Sequence, residues 1–296
     1  MASQQLFPAG GLARAIIFMV VAMSMIPLMN ISVKYLSPDY PTNQIVWARY
    51  AGHLLFVLII FLPRHGLAML KAQRPAVHIV RSTMMFISTC CFFFSLRYIE
   101  VPVASAINFT SPLIVTALAI PMLGEKVGVR RWSAVAVGFI GALIIIRPGG
   151  DNTHWAMLVV LMSSLAYAAY QVMTRKYATV DSPETSVLYM ALVGTVALSV
   201  ALPFNYVIPD NWFDVGLFGL IGLIGGAAHF LIIHAFRIGE VSVLSTFNYT
   251  QLVMASLASY LVFDTFPDGY TFLGAAIIIT SGLYITYRET RLKKLS

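Results

Sequence analysis

The sequence predicts an all-α integral membrane protein of ten transmembrane helices, arranged as two inverted five-helix repeats, residues 1–150 and 151–296. Three observations lead there. Apolar residues make up 59% of the chain and charged residues 10%, against about a quarter charged in an ordinary soluble domain. The apolar residues gather into runs of about 20, the length that crosses about 30 Å of hydrocarbon as helix. A central stretch also returns 140 positions later: RYIEVPVASAINFT from Arg97 to Thr110, then RIGEVSVLSTFNYT from Arg237 to Thr250. Seven of those 14 pairs are identical, where chance gives about one. A fainter echo, shifted by 142, pairs Lys34 with Lys176, Tyr35 with Tyr177, Asp39 with Asp181 and Pro41 with Pro183.

The expected spans are 12–34, 42–62, 77–97, 101–122, 130–147, 153–175, 185–204, 212–236, 241–262 and 269–287. The first is too long for a signal peptide and has no small-x-small cleavage site after it, so it is read as a span. Connections are short. The longest, around 63–74, has the composition of an amphipathic surface segment. With the N-terminus in the cytoplasm, fifteen Lys and Arg fall near cytoplasmic span ends, and only Lys34, Arg97 and Arg147 near outer ones. That bias puts both termini on the cytoplasmic side of the cell's inner membrane. Trp47, Trp132, Trp155 and Trp212 all lie near span ends, as interfacial anchors do. Five spans per half is an odd number, so the second half enters the membrane in the opposite sense. Inverted repeats of this kind can exchange conformations and open to alternate sides, which points to transport.

Polar residues inside the spans mark the candidate site. Ser105, Asn108 and Ser111 recur every three residues in the fourth span, and Ser245, Asn248 and Gln251 do so in the ninth. They either line a cavity or satisfy carbonyls freed near Pro102 and Pro112. Ser82 and Thr89 in the third span correspond to Gly222 and His229 in the eighth, where Gly222, Gly225 and Gly226 allow a close helix approach or a bend. In the sixth, Ser163, Tyr167, Tyr170, Gln171 and Thr174 share a broad stripe. Tyrosines one turn apart can stack on a planar solute, or simply pack between helices. Arg49 is expected to be the one cation well inside a span, with His53 one turn on. It either docks an anionic group of a solute or pairs with Glu100 or helix-end carbonyls.

The twelve acidic residues all fall in loops or at span ends, so no mid-membrane carboxylate is available to carry a proton. Proton coupling, where present, falls to His53, His229 or His234. The sequence has no Walker motif, no HExxH and no GxSxG, and Cys90 and Cys91 adjoin without metal-ligand spacing. No cofactor, metal, catalytic set or ATP is therefore expected. The net charge of +7 is spread singly among apolar stretches, which argues against nucleic acid. The expected partners are a small-molecule substrate and the lipid bilayer, with the chain a monomer or homodimer.

The stretch from Ala104 to Pro148 carries Pro112, Leu123-Gly124-Glu125-Lys126, Arg131-Trp132 and Gly138-Phe139-Ile140-Gly141, and closes on Arg147-Pro148-Gly149. With ten spans in two halves, it resembles the EamA-type carriers of the drug/metabolite transporter superfamily. Arg49 falls where those proteins often have an arginine in the second span. In the second half Asp264-Thr265 stands in place of Gly124-Glu125. The resemblance implies a central cavity formed mainly by spans one to four and six to nine, with the fifth and tenth peripheral. It also implies a small organic metabolite as cargo, amino acid, vitamin or organic-acid-like. A membrane-embedded enzyme or a non-transporting scaffold is the rival reading, and saturable flux separates them. The topology is open to direct test. Single cysteines at positions 39 and 151 should react with an impermeant thiol reagent applied from outside, and one at 293 should not; the reverse pattern overturns the orientation.

Overall fold

The computed structural model describes residues 9–123, 128–149, 154–177, 180–238 and 244–293. Among these there is helix and no strand. The helices are α1 (Ala9–Leu36), α2 (Thr42–His65), α3 (Pro75–Ser95), α4 (Val101–Asn108), α5 (Ser111–Leu123), α6 (Val129–Ile146), α7 (Ala156–Lys176), α8 (Pro183–Asn205), α9 (Trp212–Ile238), α10 (Thr250–Phe263) and α11 (Gly269–Lys293). Short 3₁₀ turns occupy Gly66–Leu70 and Ser245–Tyr249.

Seven segments among the described residues are long and apolar enough to cross a membrane, the seventh ending at Ile232. One of them, Val101–Met122, takes in both α4 and α5. Two further apolar segments, Trp132–Ile146 in α6 and Gly269–Ile285 in α11, are shorter among the described residues. The start of the ninth run, 239–243, lies outside the described residues, and its next turn is 3₁₀.

The fourth run is broken rather than continuous, and its own sequence explains why. Pro112 has no amide to donate to the carbonyl of Asn108, four residues back. Ser111 Oγ takes that role, donating to the Asn108 carbonyl at 2.6 Å. Pro102, by contrast, sits in the first turn of α4, where a missing amide costs nothing. The expected surface segment around 63–74 is an extension of α2 past Pro63 to His65, followed by the Gly66–Leu70 turn. Buried Met69 pins that turn against Val57, Phe61 and Leu188.

The packing repeats itself between the halves. Helix α1 lies on α9 as α3 lies on α7, and α2 meets α9 as α3 meets α8. Likewise α1 meets α10 as α7 meets α4 and α5, while α2 pairs with α8 and α6 with α11. Connections gather at two ends. At one, Lys34 pairs with Glu100 at 3.2 Å, Tyr40 donates to Asp214 at 2.7 Å, and Arg147 pairs with Asp268. At the other, Asp181 accepts from the Gln73 amide and bonds His78, both at 2.9 Å, and Lys176 donates to the Met122 carbonyl at 3.0 Å.

Two backbone approaches decide the helix spacing. A methyl group on Gly222 would lie 2.9 Å from the Ala48 carbonyl oxygen and 2.7 Å from the Gly52 Cα. Gly141 and Gly274 meet in the same way between α6 and α11. Gly222→Leu should therefore force α2 and α9 apart and lower the melting temperature, a cost of about 1–3 kcal/mol for overpacking. Gly216→Ala, on the same helix but facing open space, is the control and should not. Equal melting temperatures for Gly222→Leu and wild type would show that the contact carries no load.

Candidate functional site

The Gly52–Gly222 approach brings one polar face of α2 onto α9 and α3. Arg49 lies one turn before Gly52 and is 3% exposed. Its Nη1 donates to Thr89 Oγ1 at 3.1 Å. The Tyr50 hydroxyl lies 3.1 Å from the same oxygen, and Thr89 passes its own proton to the Met85 carbonyl at 3.0 Å. Thr89 thus accepts from two neighbours and donates to one, so its hydrogen-bonding capacity is filled. The guanidinium also sits over Tyr50, 4.9 Å from the ring centre, and near Phe93 at 5.9 Å. Gly225 makes the room: a side chain there would press on Arg49 Cγ at 3.3 Å.

His53 follows one turn on, fully buried, and neither ring nitrogen has a partner. Its ring centre is 5.5 Å from that of His229. His229 Nδ1 lies 3.0 Å from the Gly225 carbonyl, which sets Nδ1–H as the donor and leaves Nε2 free to accept. Ser82, two turns from Thr89 on α3, is also fully buried with an unpartnered hydroxyl. On α7 the rings of Tyr167 and Tyr170 lie nearly parallel, 6.1 Å apart at 19°. Gln171 is half-buried beside them.

Asn108 ends α4 and accepts from Ser164 of α7 at 3.1 Å, so its side chain ties two helices together. Asn248 lies in the 3₁₀ turn and Gln251 in the first turn of α10, both half-buried. The neighbours of the two asparagines meet, Phe109 and Tyr249 being 5.3 Å apart. Of the expected site residues, then, Arg49, His53, Thr89 and His229 form one cluster, Ser82, Tyr167, Tyr170 and Gln171 lie along α3 and α7, and Asn108, Asn248 and Gln251 lie at the two helix breaks. The side chain of Ser245, expected in the ninth-span stripe, lies outside the described residues.

Comparison with known proteins fits this architecture. The chain matches the EamA-like transporter family twice, over residues 13–147 and 154–287. It belongs to that family. A riboflavin transporter of Vibrio cholerae is 32% identical over 89% of this chain and 90% of its own length. A riboflavin transporter of Rhizobium johnstonii is 30% identical over 93% and 91%. An S-adenosylmethionine uptake transporter of Rickettsia bellii is 29% identical over 88% and 89%. A solved crystal structure at 17% identity shares the fold with a TM-score of 0.65, covering 96% of this chain and 99% of its own. This EamA-like protein is a multi-span membrane transporter and not an enzyme.

Two sequence expectations need correction. Arg49 does not pair with Glu100. That carboxylate is taken by Lys34 at 3.2 Å and accepts from Thr265 at 3.1 Å, at the end of the bundle rather than within it. Nor is Arg49 the only buried cation, since Arg81 is 4% exposed in the second turn of α3. Arg81 donates to the Ser186 carbonyl at 3.1 Å and meets His78 Nδ1 at 3.2 Å, while His78 Nε2 meets Asp181 at 2.9 Å. Its guanidinium also reaches the Tyr170 ring at 5.8 Å. The sequence signal for this linkage was present in the spacing of His78 and Arg81, three residues apart on one helical face. Its acid lies about 100 positions away, and only folding brings it near.

Asp181 closes one end of the α3–α8 seam. The Gln73 amide and, after it, His78 hold its carboxyl below the usual 3.8, against the opposing effect of burial. A carboxyl depressed by folding adds stability that is fully present above its unfolded value and lost as pH falls through the folded one. Asp181→Asn should thus melt below wild type at pH 7, and the gap should close as the pH drops below about 4. A gap that persists unchanged to pH 2 would mean that the carboxylate charge is not what the seam uses.

Proposed function

We propose that this protein is a secondary carrier that moves a small organic metabolite across the bacterial inner membrane by alternating access, without ATP. The observation that carries the reading is Arg49: a guanidinium buried in a membrane-spanning helix, making no ion pair among the described residues and keeping an unpartnered Nε. A cation at that depth is costly unless something offsets its charge. A carboxylate or similar anionic group on the cargo does so. His53, His229 and Ser82 add unpartnered hydrogen-bonding atoms, and Tyr167 and Tyr170 offer an aromatic wall for a flat ring. The named cargoes of the relatives, S-adenosylmethionine and riboflavin, both carry a flat nitrogen heterocycle, which suits that wall.

The same reading takes all ten runs as crossings, in two inverted halves divided near residue 150, with both termini in the cytoplasm. The repeated packing supports the inversion. Helices α2 and α9 are the second and eighth runs, and their contacts advance together, from Ala48 with Gly222 to Phe56 with Gly226. They run in the same direction, as an odd number of crossings per half requires. Alternation breaks and remakes the contacts at the two ends around a fixed centre: Lys34–Glu100 and Tyr40–Asp214 at one, Asp181 with Gln73 and His78 at the other. The acids of the described spans, Glu184 and Asp214, stand in first turns at span ends, so any proton that accompanies the cargo is carried by the His53–His229 pair.

Purified protein in liposomes should give saturable flux of S-adenosylmethionine or riboflavin, unaffected by ATP. Arg49→Lys should keep part of the flux at weaker apparent affinity, because the charge survives but the two-pronged geometry does not. Arg49→Ala should lose about tenfold or more of it, the scale for removing a charged hydrogen-bond partner. Flux no greater than in empty vesicles for either compound and for amino and organic acids would defeat the proposal, and an Arg49→Ala protein that transports normally would remove Arg49 from the site.

A further inference from the structure

Helices α6 and α11 stand at the edge of the bundle, packed on each other through Gly141 and Gly274. Beside that contact runs a groove of about 570 Å³, within the range of roughly 300–1,000 Å³ typical of small-ligand sites. Arg130 and Tyr284 flank one end, and Val137 and Ile277 the other. The wall between them is formed by small side chains, Ser133, Ala134, Ala276 and Thr280. Its serines are already spent: Ser133 donates to the Val129 carbonyl at 3.0 Å, and Ser281 donates to that of Ala134. Apart from the Thr280 hydroxyl, the groove therefore has a polar end and an apolar length.

Arg130 is exposed and makes no ion pair among the described residues. The Tyr284 ring beside it is 44% exposed. From Arg130 to Val137 the groove runs about 10 Å along the helix at 1.5 Å per residue. That is about two thirds of one leaflet's hydrocarbon depth of roughly 15 Å. A cation at headgroup level above an apolar channel matches the form of a phospholipid, and basic pockets between membrane helices on the cytoplasmic side take anionic headgroups. A second copy of the chain fits less well. A two-fold interface sets a patch against itself, and two concave grooves face to face leave a void that packing disfavours.

We propose that this groove binds one anionic phospholipid, its phosphate on Arg130 and Tyr284 and one acyl chain along Ala134, Val137, Ala276 and Ile277. The leaflet, and the anionic headgroup expected there, rest on the orientation proposed above, whereas the groove itself does not depend on that orientation or on transport. The test is native mass spectrometry of delipidated protein with equal amounts of phosphatidylglycerol and phosphatidylcholine of the same chains. Wild type should carry a single lipid with about fivefold preference for phosphatidylglycerol, the worth of one basic side chain at an anionic headgroup. Arg130→Gln should bring that ratio to about one without changing the lipid-free melting temperature. Ala276→Phe, at an exposed position lining the groove, should reduce both adducts. An unchanged ratio in Arg130→Gln, undiminished adducts in Ala276→Phe, or a protein dimer that excludes lipid would each overturn the assignment.

Discussion

Everything at the centre of this protein depends on how closely α2 and α9 approach. In a bilayer, apolar side chains gain little by leaving lipid for protein, so helices associate where small residues let backbones touch. Gly52 and Gly222 provide that contact, with room for no side chain on either. One turn further along, Gly225 accepts the Arg49 stem, and Gly226 accepts the ring of Phe56. The spacing of the glycines on α9 is thus matched to the side chains of α2 one by one. Widening the crossing by one methyl group would move Arg49 and His53 away from His229 as a unit.

The crossing creates an electrostatic demand that it does not itself meet. Arg49 is held by one neutral hydroxyl and two aromatic faces, which orient a guanidinium without neutralising it. Arg81, whose Nε is likewise without a partner, differs in what surrounds its charge: it is joined through His78 to Asp181 and bonded to a main-chain carbonyl. The contrast separates two roles for the same residue type on adjacent helices. One arginine is a structural tie at the mouth of a seam, and the other is the one the proposed function assigns to the cargo.

How much of this was legible in the sequence depends on the range of the interaction concerned. The helical class, the doubled pattern and the candidate cluster all follow from local or periodic signals: runs of apolar residues, a matched fragment, and polar residues three or four apart. The break in the fourth run was partly readable, because Pro112 must orphan the Asn108 carbonyl; that Ser111 would repair it needed geometry. Partnerships were not readable. Glu100 lies at the same expected depth side as Arg49, yet it pairs with Lys34, since the end of α1 comes beside the start of α4 and Arg49 is turned toward α3 and α9. Arg81 stands near the start of its apolar run, and nothing local shows that the approach of α8 encloses it.

The repeat gives the two ends different chemistry despite their common origin. Lys34 and Lys176 are matched in sequence, yet Lys34 meets a carboxylate and Lys176 a main-chain carbonyl. Asp39 and Asp181 are also matched, and Asp181 is bound by an amide and an imidazole while the acid at the opposite end that receives a tyrosine is Asp214. An ion pair and a tyrosine–carboxylate bond on one side therefore stand against a histidine–carboxylate link on the other. The halves share a scaffold, but the contacts at their two ends are not equivalent, so under the proposed alternating access the free energies of opening toward the two sides need not be equal. An asymmetry of that kind sets which face the empty carrier prefers, because populations follow the difference between the two states and not the strength of either alone.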